Sequence, residues 1–130
     1  MAEPRIIVRK SRFELQLVTD EGVLAFPVAI GSNPDGEDKR EVGDCRTPEG
    51  DFYIESVEDS TDWEHEGARV YGPFFLRLSC PPWEGIGIHG TNDPALVGRR
   101  TTRGCIRLTN GDLVRLVEEI GVGTPVTILP

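Results

Sequence analysis

Ile86-Gly-Ile-His-Gly-Thr-Asn92 and Thr102-Arg-Gly-Cys-Ile-Arg-Leu108 are two short apolar runs joined by a polar loop, and the rest of the chain reads as their scaffold. Ile86 and Ile88, then Ile106 and Leu108, alternate with other residues at the period of two of half-buried strands. That period puts His89 and Cys105 at or near strand ends, and the loop between them lets two such strands lie side by side. A thiol attacks as thiolate, and a neighbouring imidazole can hold it deprotonated as a thiolate–imidazolium pair. This is the smallest unit of a cysteine acyl-transfer enzyme.

Taken alone, Cys105 before Ile106 and Leu108 reads as a buried core thiol, because free Cys is among the most buried residue types. Its neighbours change that reading. Gly104 permits a tight backbone turn, so that successive N–H groups near Cys105 can point at one spot as an oxyanion hole. If residues 103–107 are extended, Arg103, Cys105 and Arg107 share a side, which sets two guanidiniums beside the thiol. Such surroundings lower a thiol pKa and offer forked donors to a substrate carboxylate. His89 lies between Gly87 and Gly90, and its orienting partner is expected to be a backbone carbonyl, since acidic residues near it are confined to Glu84 and Asp93.

At 130 residues the chain is expected to form a single domain over 1–130. Fifteen Gly and ten Pro with one good helical pattern favour a mainly β architecture. The net charge of −8 opposes binding to a phosphate backbone, so nucleic acid is excluded as a partner. No apolar run is long enough to span a bilayer. Met1-Ala-Glu-Pro-Arg5 has neither a basic n-region nor an apolar h-region, so no signal peptide is visible in the chain as given. Cys45, Cys80 and Cys105 have no Cys-x-x-Cys spacing, which argues against a zinc knuckle. A Cys45–Cys80 bridge stays open, and no metal or organic cofactor is expected.

Taken in order, Arg5–Val8, Phe13–Val18 and Val23–Ile30 read as strands, with a turn at Asp20-Glu-Gly22 and an edge or bulge position at Pro27. Residues 31–45 read as an exposed loop with a turn at Asn33-Pro-Asp-Gly36. Thr47-Pro-Glu-Gly50 fits a type I turn entering the strand Asp51–Ile54. The acidic run Glu55–Glu66, which includes Trp63 and His65, reads as a solvated loop rather than a metal or catalytic site. Tyr71–Leu78 resumes a strand, and Cys80–Gly85 is a Pro-stiffened loop. A helix capped by Thr109 or Asn110, with Leu113, Leu116, Val117 and Ile120 on one face, is expected to close with Gly121 as a left-handed C-cap. Pro125–Leu129 is the last strand.

The pattern Ile88-His-Gly-Thr91 followed by Thr102-Arg-Gly-Cys-Ile-Arg107 resembles the signature of the L,D-transpeptidase catalytic domain family, the YkuD-type fold. Thr47-Pro-Glu-Gly-Asp-Phe52 and Tyr71-Gly-Pro-Phe74 also resemble stretches of that family, so the likeness covers nearly the whole chain. It implies a compact, mainly β sandwich or barrel with one short covering helix. It further implies Cys105 as nucleophile, His89 as general base, the Gly90 carbonyl as its orienting group and Thr102 as a structural hydroxyl. With Thr102, it sets Arg103, Gly104 and Arg107 at the substrate.

The activity implied is peptidoglycan cross-linking: acyl transfer from a tetrapeptide stem, with loss of its terminal D-Ala, to an amine of another stem. Water as acceptor would make the chain an L,D-carboxypeptidase or cross-link hydrolase, and a wall-binding domain with an inert thiol is the more distant alternative. The partners implied are stem peptides, acted on by a monomer. The resemblance places the protein in the periplasm or cell envelope, while the lack of a visible signal leaves the cytoplasm open. One position departs from the family: Arg103 stands where His is common. A guanidinium cannot abstract a proton. The chemistry survives the change if His89 is the essential imidazole, and activity or substrate range shifts if the second imidazole shares the proton transfer.

Overall fold

The computed structural model describes residues 3–130, so Met1 and Ala2 of the N-terminal reading lie outside the described residues. The order is β1 (Arg5–Arg9), a 3-10 turn at Lys10–Arg12, β2 (Glu14–Thr19), β3 (Gly22–Pro27), β4 (Ile30–Gly31) and β5 (Gly50–Asp59). Then follow β6 (Phe74–Ser79), β7 (Gly87–His89), a 3-10 turn at Pro94–Leu96, β8 (Arg100–Thr102), β9 (Ile106–Arg107), α1 (Asn110–Val117) and β10 (Pro125–Leu129). The fold is mainly β, a curled sheet with one helix, as the composition indicates.

Eight strands form one sheet in the order β3-β2-β1-β10-β5-β6-β7-β9, and β4 pairs with β8 apart from it. The chain's last strand, β10, lies between β1, which it meets parallel, and β5, which it meets antiparallel. Period-two apolar positions build the core: Ile6 and Val8, Leu15 and Leu17, Val126 and Ile128 are buried from three adjacent strands. α1 covers them because Leu113 and Leu116 fall on one face, both fully buried, while Thr109 caps its first turn by accepting the Asp112 N–H. Truncating Leu116 to Ala would cost about 2–5 kcal/mol in transfer and cavity terms.

The strand readings hold within a few residues, and four expectations are corrected. First, the strand expected to end at Ile54 runs on to Asp59, because Glu55–Asp59 lies along β6 and Arg77 of that strand bonds Glu58 at 2.7 and 3.3 Å. Five of the twelve residues of the acidic run are therefore sheet. Second, residues 47–49 are an extended strap rather than a turn, since the Thr47 hydroxyl and carbonyl both bond partners far away in sequence. Third, the helix stops at Val117 with Glu118 as its C-cap, and Gly121 is held by Thr124 instead of serving as a left-handed cap; Gly123 takes the positive φ of +91°. Fourth, the 31–45 loop is not uniformly exposed, because Lys39 and Asp44 pair in its interior at 2.7 Å with side chains 6% and 3% exposed. Pro27 does sit on the edge strand, and the turns at Asp20 and Asn33 form. All three cysteines are free thiols.

Candidate active site

β7 and β9 lie side by side and parallel, with Ile88 opposite Ile106 and His89 opposite Arg107. The sheet register thus sets the imidazole opposite the guanidinium, with Cys105 one step before β9, and all three line one cavity. Gly87 and Gly90 flank His89 for steric reasons. A side chain at Gly87 would strike the Phe75 ring at 2.5 Å, and one at Gly90 would strike the Asn110 carboxamide. That carboxamide oxygen accepts the Thr91 N–H at 2.9 Å and fixes the chain as it leaves β7.

The His89 ring is buried, stacked on Phe75 at 5.6 Å and 12° and met edge-on by Tyr71 at 5.1 Å. Its Nδ1 lies 2.7 Å from the Gly90 carbonyl oxygen. A carbonyl only accepts, so Nδ1 carries the hydrogen and Nε2 keeps the lone pair. Burial pushes the His89 pKa down to about 4, the Gly90 bond opposes this, and the charge of Arg107 adds to it. The Cys105 thiol is half-buried and donates weakly to the Gly85 carbonyl at 3.5 Å. Burial pushes its pKa up, against a backbone hydrogen bond from Gly87 and the charges of Arg107, Arg77 and Lys39. Both shifts favour the neutral thiol and the neutral imidazole over the thiolate–imidazolium pair expected from the sequence.

His89, Cys105 and Arg107 open into one cavity of about 490 Å³. Arg107 is half-buried, its Nε has no hydrogen-bond partner, and it makes no ion pair among the described residues. An uncompensated buried guanidinium is costly, and a ligand carboxylate would satisfy it. Arg103 also borders the cavity but is 73% exposed and reaches Glu66 at 3.3 Å. The two guanidiniums expected beside the thiol are therefore Arg107 and Arg77, not Arg107 and Arg103. The reason is Gly104, whose φ of +139° breaks the extended run that would align 103 with 105. Thr102, 4% exposed, donates to the Cys105 carbonyl at 2.6 Å and accepts the Gly104 N–H at 3.1 Å. That second bond removes the Gly104 N–H from the expected pair of oxyanion donors.

The opposite wall comes from residues that sequence reasoning set aside. Trp63, His65, Glu66, Tyr71 and Phe75 line the same cavity, with Trp63 packed on Tyr71 at 5.7 Å and on Phe75 at 5.4 Å. Their signal was Trp63 and His65 within the acidic run, which a solvated loop does not require. A second cavity of about 340 Å³, bordered by Glu55, Trp83 and Glu84, shares Arg77 and Gly85 with the first. Among the described residues no group of three or more His, Cys, Asp or Glu is placed to hold a metal ion, and no helix is long and apolar enough to cross a membrane.

Residues 3–128 match the family profile described as L,D-transpeptidase catalytic domain, YkuD. The chain is 37% identical over 103 residues to the putative L,D-transpeptidase YkuD of Bacillus subtilis, covering 79% of this chain and 51% of that protein. It is 33% identical over 137 residues to the putative L,D-transpeptidase YqjB of the same organism, covering 97% and 71%. The chain thus spans about half the length of the YkuD relatives it matches. In fold it is similar to an L,D-transpeptidase from Mycobacterium smegmatis, with TM-score 0.74 at 20% identity over 99% of this chain and 59% of that one. L,D-transpeptidase 3 from Mycobacterium tuberculosis, solved with a faropenem-derived adduct, gives 0.72 at 18% over 98% and 61%.

Proposed function

The chain belongs to the L,D-transpeptidase catalytic domain family, and on that premise we propose that it carries out acyl transfer on peptidoglycan stem peptides through Cys105 and His89. The observation that carries this reading is the tied imidazole: Nδ1 is committed to the Gly90 carbonyl, leaving the basic Nε2 in a cavity that also holds a thiol and an unpaired guanidinium.

In this mechanism His89 Nε2 takes the Cys105 proton as sulfur attacks the carbonyl of the diamino acid at the third position of a tetrapeptide stem. Because burial favours the neutral form of both groups, proton transfer and attack run together rather than from a preformed thiolate. The Cys105 N–H stabilises the tetrahedral oxyanion. The imidazolium then returns its proton to the leaving D-Ala amine, and a thioester on Cys105 remains. An acceptor amine attacks the thioester and gives its proton to His89; the C–S bond breaks as the new amide forms, and His89 returns the proton to the Cys105 sulfur. Arg107 takes a carboxylate of the donor stem, and the second cavity across Gly85 gives the acceptor stem room.

Intact-mass measurement tests the reading directly. A tetrapeptide or the carbapenem imipenem should add covalently to the native chain, to Cys45→Ala and to Cys80→Ala, but not to Cys105→Ala. His89→Gln should slow the addition by about 10²–10⁴-fold. An adduct that persists in Cys105→Ala refutes the assignment. Product analysis with and without an acceptor stem separates transpeptidation from hydrolysis.

A further inference from the structure

Two buried threonines hold the two peptide planes on either side of Cys105. Thr102 grips the plane that follows, by donating to the Cys105 carbonyl at 2.6 Å. Thr47, 57 residues from its partner in sequence and 2% exposed, grips the plane that precedes it, by donating to the Gly104 carbonyl at 2.8 Å. The direction of that bond is forced. A hydroxyl has one hydrogen, and Thr47 Oγ1 already accepts the Gly31 N–H at 2.9 Å, so its own proton goes to Gly104.

In a trans peptide the carbonyl and the following N–H point in opposite directions in one rigid plane. The Gly104–Cys105 bond is trans, since the only cis bond among the described residues is Pro81–Pro82. Tying the Gly104 oxygen to buried Thr47 therefore aims the Cys105 N–H away from the strap. This matters because Thr102 has already taken the Gly104 N–H, whereas no described group engages that of Cys105. We propose that Thr47 is a positioning residue for acyl transfer, which aims the Cys105 N–H at the oxyanion by holding the Gly104 carbonyl; this rests on the acyl-transfer reading above.

The strap that carries Thr47 is itself built to stay in place. Lys10, 2% exposed, donates to the Thr47 carbonyl at 2.8 Å and to the Glu37 carbonyl at 3.0 Å, and pairs with Glu49 at 2.9 Å. Glycines let the strap approach on both sides. A Cβ at Gly31 would collide with the Cys45 carbonyl oxygen, and one at Gly104 would meet the Arg46 carbonyl oxygen at 3.0 Å.

The test compares Thr47→Val, which keeps the shape and loses the hydroxyl, with Thr47→Ser, which keeps it. Two reactions of Cys105 are measured: cleavage of D-Ala from a diaminopimelate-containing tetrapeptide, and alkylation by iodoacetamide across pH. Alkylation is a displacement at carbon that develops no oxyanion. In Thr47→Val, kcat for the tetrapeptide should fall about 10–100-fold, approaching the loss of an oxyanion donor. KM and the alkylation profile should stay put, and Thr47→Ser should remain within about threefold of wild type on the same scale. Cleavage that is unchanged in folded Thr47→Val, or that falls in parallel with alkylation, overturns the role. If Thr47→Val does not fold, Lys10→Met decides: releasing the Thr47 carbonyl should give the same selective loss of kcat, and its absence overturns the role. Failure of the wild-type chain to form any Cys105 adduct would instead refute the acyl-transfer reading.

Discussion

Residues 32–49 and 60–72 look alike as sequence, both polar, acidic and turn-rich, yet they border the thiol in opposite ways. In 32–49 the exposed charges surround a central set, Lys39, Asp44 and Arg46, that ends inside the protein. Asp44, 3% exposed, accepts from Lys39, from three backbone N–H groups at 40, 41 and 46, and from the Arg46 guanidinium. These contacts hold its carboxyl far below the usual range even against its burial. In 60–72 the charges end in water: Asp62, Glu66 and Arg69 are 86%, 76% and 66% exposed, and their ion pairs are 3.3 Å or longer. That segment is held at its base by Ser60, whose hydroxyl donates to the Gly72 carbonyl at 2.9 Å, and by the stacking of Trp63. One loop is a buttress for the Gly104–Cys105 turn, and the other is an adjustable wall facing it.

The largest effect should come from the buttress. Asp44→Ala leaves Lys39 and Arg46 without their shared partner, and breaking a buried pair from one side costs about 3–5 kcal/mol. Chemical denaturation should register that loss. A cost near that of Asp62→Ala, which removes an exposed pair, would erase the difference between the two loops.

Next in size is an effect of pH at the residue between them. The His89 pKa is about 4 in the folded chain against an ordinary 6.5. The unfolded chain therefore binds the proton first, and stability from this group is full above pH 6.5 and is lost as pH falls toward 4. The contribution is on the order of 3 kcal/mol. His89→Gln should flatten this part of the stability profile. The same shift puts the acid limb of kcat/KM for stem cleavage near pH 4, and a limb near 6.5 would mean that the ring is solvated in the working enzyme.

The wall should answer in binding rather than stability. Trp63→Ala removes a ring that packs on Tyr71 and Phe75, which in turn contact His89. The expected result is a KM for the stem raised about tenfold with kcat kept, the pattern of lost uniform binding, and unfolding changed by about 1 kcal/mol. A collapse of kcat would place Trp63 with the groups that orient the imidazole.

These contrasts explain what could be read in advance. His89 and Cys105 were legible because one closes and the other opens a short period-two apolar run, and such runs pair as strands. The scarcity of carboxylates nearby pointed to a backbone carbonyl as the partner of His89, and the family resemblance implied that of Gly90. Thr47 and the Trp63–Tyr71 wall were not legible, since their roles depend on partners 16 to 57 residues away or on the β5–β6 register, and Asp44, whose partners lie two to five residues away, carries no sign in the sequence that its charge is buried. A Thr-Pro-Glu-Gly run satisfies the rules of a turn, and only its long-range bonds make it a strap.

The smallest effect, and the sharpest test of the adjustable wall, belongs to Arg103. Its guanidinium reaches across the cavity mouth to Glu66, and both side chains are about three-quarters exposed. A pair in that position contributes little to stability, so Arg103→Ala should change unfolding by about 0.5 kcal/mol or less. Because the cations that act on the thiol are Arg107, Arg77 and Lys39, removing Arg103 should leave the pH profile of Cys105 alkylation in place. What should change is stem binding. With Arg103 gone, Glu66 faces the cavity mouth uncompensated and repels a carboxylate-bearing stem, so KM should rise about threefold at low salt and less as salt screens it. Glu66→Gln should act oppositely, freeing Arg103 for the stem, and the double variant should lie between the two. A thiol profile that shifts in Arg103→Ala would show that this side chain leaves Glu66 and turns to the nucleophile in solution.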